Sequence, residues 1–79
     1  LIFSMKEPCL TITAEKHNHE YIGEIIFQDF SLFDAGETIQ ELKHNMALAI
    51  YDIKQYLKDA KRPIPRKLQN PKLTVLLRM

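Results

Sequence analysis

The chain has 79 residues, enough for one small domain that buries roughly 60% of the surface of its unfolded chain. A hydrophobic fraction of 46% and a charged fraction of 27% are typical of a globular protein and exclude an intrinsically disordered one. No apolar run approaches the roughly 18 residues of a membrane span. The single cysteine, Cys9, excludes a disulfide within the chain and favours a reducing compartment, so we expect a cytoplasmic protein.

The net charge is only +1, but the charges are unevenly distributed. Residues 1–36 carry six acidic and two basic side chains, whereas residues 63–79 carry four basic and no acidic ones. The basic end is either a solvated tail or a surface for an anionic partner, and the charge pattern alone favours the tail.

The first elements are predicted to form a β-hairpin. Leu1–Pro8 is expected to be a lead segment, with Met5 as a candidate native start. Cys9–Glu15 alternates apolar and polar residues, which predicts a half-buried strand. Lys16–His19 supplies a polar turn in which Asn18 tolerates positive φ.

The second strand, Glu20–Phe27, carries apolar residues on both faces. It is therefore either covered more fully than its neighbours or in contact with a partner through its outer face. Gln28–Ser31 is predicted to be a loop and Leu32–Ala35 a short third strand. Gly36 then allows the chain to turn into the next element.

The strongest pattern in the chain is Thr38–Lys61, which predicts one long amphipathic helix. Thr38 and Glu41 form a capping box at its start, and Pro63 is expected to stop it. Its apolar stripe predicts the side that faces the core. The stripe comprises Ile39, Leu42, Met46, Ala49, Ile50, Ile53, Leu57 and Ala60.

The prolines from Pro63 to Pro71 predict an extended, non-helical connection. Lys72–Met79 reads either as the fourth strand of this domain, which we favour, or as the first strand of a truncated ribbon-helix-helix module. The order β-β-β-α-β predicts a single α+β domain over residues 1–79, in which one long helix covers an antiparallel sheet.

No catalytic motif is evident, so we expect no enzyme activity and no cofactor. The tripeptide His17-Asn18-His19 only superficially resembles the name of a nuclease motif. A zinc site needs four ligands, and only Cys9 could supply a third near the two histidines, so we expect no native metal.

The outer side of the predicted helix carries residues that are unusual for a solvent-facing surface. Apolar side chains lie there between an acidic and a basic edge, which suggests an interaction surface for a partner. Scattered apolar surface residues remain the alternative interpretation. The predicted partner-binding residues are His44, Ala47, Leu48, Tyr51 and Gln55, with Glu41 and Asp52 on the acidic edge beside Asp59. The basic edge comprises Lys43, Lys54, Lys58 and Lys61.

The order of elements and several short motifs resemble the HicB antitoxin family over roughly residues 9–68. These motifs are the strand Tyr21–Phe27, Asp29-Phe30 after it, Gly36-Glu37-Thr38 before the helix, Glu41, Asn45 and Ala49 within the helix, and Ile64-Pro65 beyond it. The loop Gln28–Ser31 departs from the family pattern, since it lacks two prolines, a glycine and a cysteine and is about one residue shorter.

The resemblance implies a non-catalytic antitoxin that binds a small RNA-cleaving HicA-like toxin, and we expect it to act as a homodimer. Family members usually add a C-terminal DNA-binding module. Two alternatives remain open, an orphan protein-interaction domain of the same fold and a small nucleic-acid-binding module. The latter would use Arg62, Arg66, Lys67, Lys72 and Arg78.

Overall fold

The computed structural model describes residues 9–27 and 30–78, which form a four-stranded sheet with one long helix packed on it. The strands are β1 (Cys9–His17), β2 (Glu20–Ile26), β3 (Ser31–Gly36) and β4 (Lys72–Arg78), and the helices are α1 (Ile39–Asp59) and α2 (Arg66–Gln69). The predicted two-layer α+β class is confirmed. The predicted lead segment at residues 1–8, Gln28 and Asp29 of the predicted loop, and Met79 at the end of the predicted last strand lie outside the described residues.

The sheet has the order β3-β2-β1-β4 and is mixed rather than wholly antiparallel as predicted. β1, β2 and β3 form an antiparallel meander, whereas β4 pairs with β1 in parallel, from Cys9 opposite Lys72 to Glu15 opposite Arg78. The direction follows from the connection. Because α1 runs back along the sheet after β3, β4 starts at the end where β1 starts.

The core lies between α1 and one face of the sheet. Leu10, Ile12 and Ala14, at alternate positions of β1, are buried as the strand pattern predicts. Leu42 and Met46 of α1 are fully buried, and Ile50 nearly so. Of the eight predicted stripe residues, Ala60 is exposed because α1 ends one residue before it.

The short helix α2 was not predicted, since the surrounding prolines suggested a purely extended segment. Pro65 directly precedes its first turn, where a proline is tolerated, and the Leu68 N–H donates to the Pro65 carbonyl at 2.9 Å. Leu68 is fully buried in the main core. Burial of this side chain therefore stabilises a turn that local propensity does not favour.

Both glycines allow close approach of the helix to the sheet. A Cβ atom on Gly36 would lie 2.5 Å from the backbone nitrogen of Leu42. One on Gly23 would lie 3.0 Å from Cδ2 of Leu42 and 2.7 Å from Cγ2 of Ile12 in the neighbouring strand β1. Gly36 has no positive φ, so its role here is to admit the backbone of α1 rather than to adopt a left-handed conformation.

The ends of α1 have well-defined caps. Thr38 Oγ1 accepts a hydrogen bond from the Glu41 N–H at 3.0 Å, which is one of the two bonds of the predicted capping box. Glu41 Oε1 accepts from the Glu37 N–H instead of from that of Thr38. At the other end, Lys61 adopts φ 56°, Arg62 N–H donates to the Leu57 carbonyl at 2.8 Å, and Lys61 N–H donates to that of Lys58 at 3.1 Å. This is a Schellman motif, so α1 ends before it reaches Pro63.

Candidate functional site

The predicted partner-binding residues of α1 are all exposed. We call this set the helix surface. It comprises His44, Ala47, Leu48, Tyr51 and Gln55. Leu48 retains 51% and Tyr51 57% of its accessible surface, which is a large exposure for side chains of this size in the middle of a helix. They could anchor a partner, because full burial of an exposed side chain of this size is worth about 1.5–3 kcal/mol and about half of each surface is still open to be buried.

The two predicted acidic residues at the edge of the helix surface differ in their hydrogen bonding. Glu41 and Asp52 are both exposed. Glu41 also closes the helix cap, because its Oε1 accepts a hydrogen bond from the Glu37 N–H at 3.3 Å. Asp52 makes no such contact within the described residues, so its carboxylate is the better placed of the two for a basic partner.

On the basic edge, Lys54 connects α1 to the segment before β4. Its Nζ donates to the Gln69 carbonyl at 2.6 Å. Lys54 is therefore partly structural, whereas Lys43, Lys58 and Lys61 are exposed.

The helix surface continues onto β4, which the sequence did not suggest. Ala47 and Tyr51 line a shallow groove of about 230 Å³ together with Pro71 and Leu73. The two helix residues are 20 to 26 positions from Pro71 and Leu73 in the chain, and the parallel placement of β4 beside β1 brings them together. The alternation of Leu73, Val75 and Leu77 predicts that these residues share one face of the strand. It does not predict that this face lies beside α1.

The face of the sheet opposite α1 exposes a second apolar area. Ile26 of β2 is 71% exposed, Phe33 of β3 64% and Leu76 of β4 59%. β2 is thus an interior strand whose outer face is uncovered by the described residues, so the structure removes the alternative that this strand is covered more fully than its neighbours. Contact of this face with a partner stays a prediction.

The five basic residues of the nucleic-acid alternative do not form one patch. Arg62 follows the C-cap of α1, Arg66 and Lys67 lie on α2, and Lys72 begins β4. Arg78 lies six residues further along β4, about 20 Å away at the rise of a strand. Arg66 and Lys67 do border a groove of about 320 Å³ that also contains Phe27 and Phe30, whose rings stack with their centroids 4.7 Å apart.

The histidines of the β1–β2 turn show no metal site. His17 Nε2 lies 3.2 Å from Glu15 Oε2, and Asn18 has φ 57° at the first position of the two-residue turn. No group of three or more potential ligand side chains occurs within residues 9–27 and 30–78.

Comparisons with protein-family models, with curated proteins and with solved structures gave no match to this chain. No helix in the described part of the chain is long and apolar enough to cross a membrane.

Proposed function

We propose that this chain is a non-catalytic HicB-like antitoxin domain that binds and neutralises a small RNA-cleaving HicA-like toxin. The observation that carries the proposal is the helix surface, where Leu48 and Tyr51 are about half exposed between unlike charged edges. Such a protein acts by stoichiometric binding in the cytoplasm, where its toxin cleaves RNA.

The residues behind the family resemblance have defined structural roles, and this supports the proposal. Gly36 admits the backbone of α1, and Thr38 caps the helix. Asn45 Nδ2 donates to the Ala35 carbonyl of β3 at 2.7 Å. Together these residues fix the position of α1 on the sheet, and hence the orientation in which the helix surface is presented.

In the proposed binding mode, the apolar residues determine the affinity for the toxin and the acidic residues determine the rate of association. Leu48 and Tyr51 supply apolar contact area, since aromatic anchors near the centre of an interface carry most of the binding energy. Asp52 and Glu41 attract a basic toxin and raise the association rate, an effect that decreases with salt. No covalent step is involved, because the domain only has to cover the RNA-cleaving surface of the toxin.

Co-expression with the protein encoded by the adjacent gene tests this proposal directly. The resemblance implies that this neighbour is a short basic protein with one essential histidine. We expect its expression alone to arrest growth and co-expression of the present chain to restore growth, with recovery of a complex of the two proteins. A neighbour whose toxicity the wild-type chain does not relieve would overturn the proposal.

One observation favours a second function, binding of single-stranded nucleic acid. Phe30 is 42% exposed, stacks on Phe27 and lies in the same groove as Arg66 and Lys67. Aromatic rings that stack on bases, combined with cations for the phosphates, are typical of such sites.

Salt-dependent binding of a labelled RNA oligonucleotide by the purified chain distinguishes this second function. Binding should weaken in Phe30→Ala and in Arg66→Glu, whereas Arg78→Glu, at the far end of β4, serves as the matched control. Equal losses in Phe30→Ala and Arg78→Glu would indicate non-specific attraction instead.

A further inference from the structure

The two edge strands of the sheet, β3 and β4, differ in how far their free backbone groups are protected from pairing with another strand. An edge strand presents unpaired backbone N–H and C=O groups, which can pair with a strand of another molecule. Natural proteins commonly block such edges with side chains or charges. A difference between the two edges of one sheet therefore indicates which of them is available for pairing.

The edge of β3 is blocked at Ala35. Its backbone N–H donates to Asp34 Oδ1 at 2.8 Å, and its carbonyl accepts from Asn45 Nδ2 at 2.7 Å. In an antiparallel edge strand, each residue directs both its N–H and its C=O to the same side. Successive residues alternate between the side of the neighbouring strand and the free edge. The outward-directed groups of Ala35 are thus satisfied within the chain.

The edge of β4 carries no such protection. Leu73–Leu77 is an uncharged run of five residues without proline, and charges occur only at Lys72 and Arg78 on its two ends. Within residues 9–27 and 30–78, no side chain hydrogen-bonds to its backbone, and no strand other than β1 pairs with it. An apolar, uninterrupted edge of this kind is a template for strand pairing.

We propose that β4 pairs with β4 of a second copy of this chain, antiparallel about a two-fold axis perpendicular to the sheet, to give a continuous eight-stranded sheet. Such an isologous contact requires only that the edge match itself. A register centred on Val75 engages all seven residues and sets Leu73 opposite Leu77 of the second copy. Lys72 then lies opposite Arg78 of the second copy at each end, and this like-charge pair opposes the contact and is screened by salt.

The pairing also covers apolar surface that the monomer leaves open. Leu77 points to the α1 side of the sheet but remains 42% exposed, and Leu73 is only half-buried beside Tyr51. Because the axis is perpendicular to the sheet, the two α1 helices lie on the same side. The grooves formed by Ala47, Tyr51 and Leu73 of each copy therefore border the junction between the two sheets.

The size of this contact fits a reversible dimer. β4 is about 23 Å long at the rise of a strand, and the smallest dimension of the domain is 20 Å. If each side wall were flat and fully covered, the pair would bury at most about 900 Å² in total, which is below the roughly 1,000–1,200 Å² at which specific interfaces begin. The backbone hydrogen bonds of the pairing supplement this area, so we expect micromolar rather than nanomolar association.

Sedimentation of the full chain from low micromolar to near-millimolar concentration tests the proposal. We expect a monomer–dimer equilibrium that Leu77→Lys shifts at least tenfold toward monomer. Phe33→Lys, which also places a lysine at an exposed apolar position of an edge strand but on β3, should leave the equilibrium unchanged. A monomer at every concentration, or a dimer weakened equally by both substitutions, would overturn the proposal.

Amide hydrogen exchange on the wild-type chain provides a readout that does not depend on any variant. Backbone amides on the free edge of β4 should become protected at high concentration and exchange rapidly on dilution, while the amides of β3 should not change. Association without protection of β4 would also overturn the proposal. The pairing does not require the proposed antitoxin function, because relief of toxicity is measured separately.

Discussion

Asn45, in the second turn of α1, donates from Nδ2 to the backbone carbonyl of Ala35 in β3 at 2.7 Å. This bond joins a helix to an edge strand ten residues earlier in the chain. It fixes the position of α1 on the sheet and satisfies a carbonyl that the edge would otherwise present to other molecules. A single side chain therefore serves both the fold and the protection of one edge.

Replacement of Asn45 by alanine should lower the free energy of unfolding by about 1 kcal/mol, since it removes a hydrogen bond to a half-buried carbonyl. The measurement is urea denaturation followed by circular dichroism. Gln40→Ala is the matched control, because Gln40 is an exposed amide on the same helix and should change stability by no more than a few tenths of a kcal/mol. Equal losses in the two variants would contradict the role given to Asn45.

The two glycines should respond differently to alanine. A Cβ on Gly36 meets the backbone of Leu42, which cannot move without the helix, so Gly36→Ala should cost about 3 kcal/mol. A Cβ on Gly23 meets side-chain atoms of Ile12 and Leu42, which can shift, and should cost about 1 kcal/mol. Thermal denaturation of both variants shows which substitution lowers the stability more. The reverse order would show that α1 adjusts its position more easily than the side chains beneath it.

Lys61 offers a stabilising substitution. It holds a left-handed conformation, φ 56°, at the position that closes the Schellman motif, where glycine is usual. Lys61→Gly should therefore raise the free energy of unfolding by about 1 kcal/mol. Lys58→Gly, three residues earlier within the helix, should instead lower it by about 0.5–1 kcal/mol. Destabilisation by both changes would show that strain at Lys61 is negligible.

Local periodicity was sufficient to predict the elements that form most of the fold. The alternation in β1 and the amphipathic stripe of α1 are properties of short windows, and burial of Ile12 and Met46 follows from them. The parallel pairing of β4 and the turn of α2 depend on contacts between distant residues. Leu68 illustrates this, because its burial is determined by the core it enters and not by its proline-rich surroundings.

The helix surface was also predictable from α1 alone, since exposure opposite the core stripe follows from helix geometry. Its extension onto β4 was not, because nothing in the pattern of Lys72–Arg78 shows that Leu73 lies beside Tyr51. The difference between the two sheet edges depends on single hydrogen bonds, such as that of Asp34 to the Ala35 N–H. Such bonds leave no periodic signal in a sequence.

The helix surface can be tested by a double substitution. Leu48→Asp combined with Tyr51→Ala removes both apolar anchors and should abolish binding of the partner protein. The circular dichroism spectrum should not change, because both side chains are more than half exposed. Pull-down and light scattering with the neighbouring protein give the measurement.

The matched control for this prediction is Tyr56→Ala. Tyr56 is 67% exposed on the same helix but lies outside the helix surface, beyond its acidic edge. Its loss removes a comparable apolar area, so a partner that only requires exposed aromatic surface would respond to both variants. Binding that survives the double substitution, or that is lost equally in Tyr56→Ala, would place the interface elsewhere on the domain. The open face of the sheet around Phe33 would then be the next surface to test.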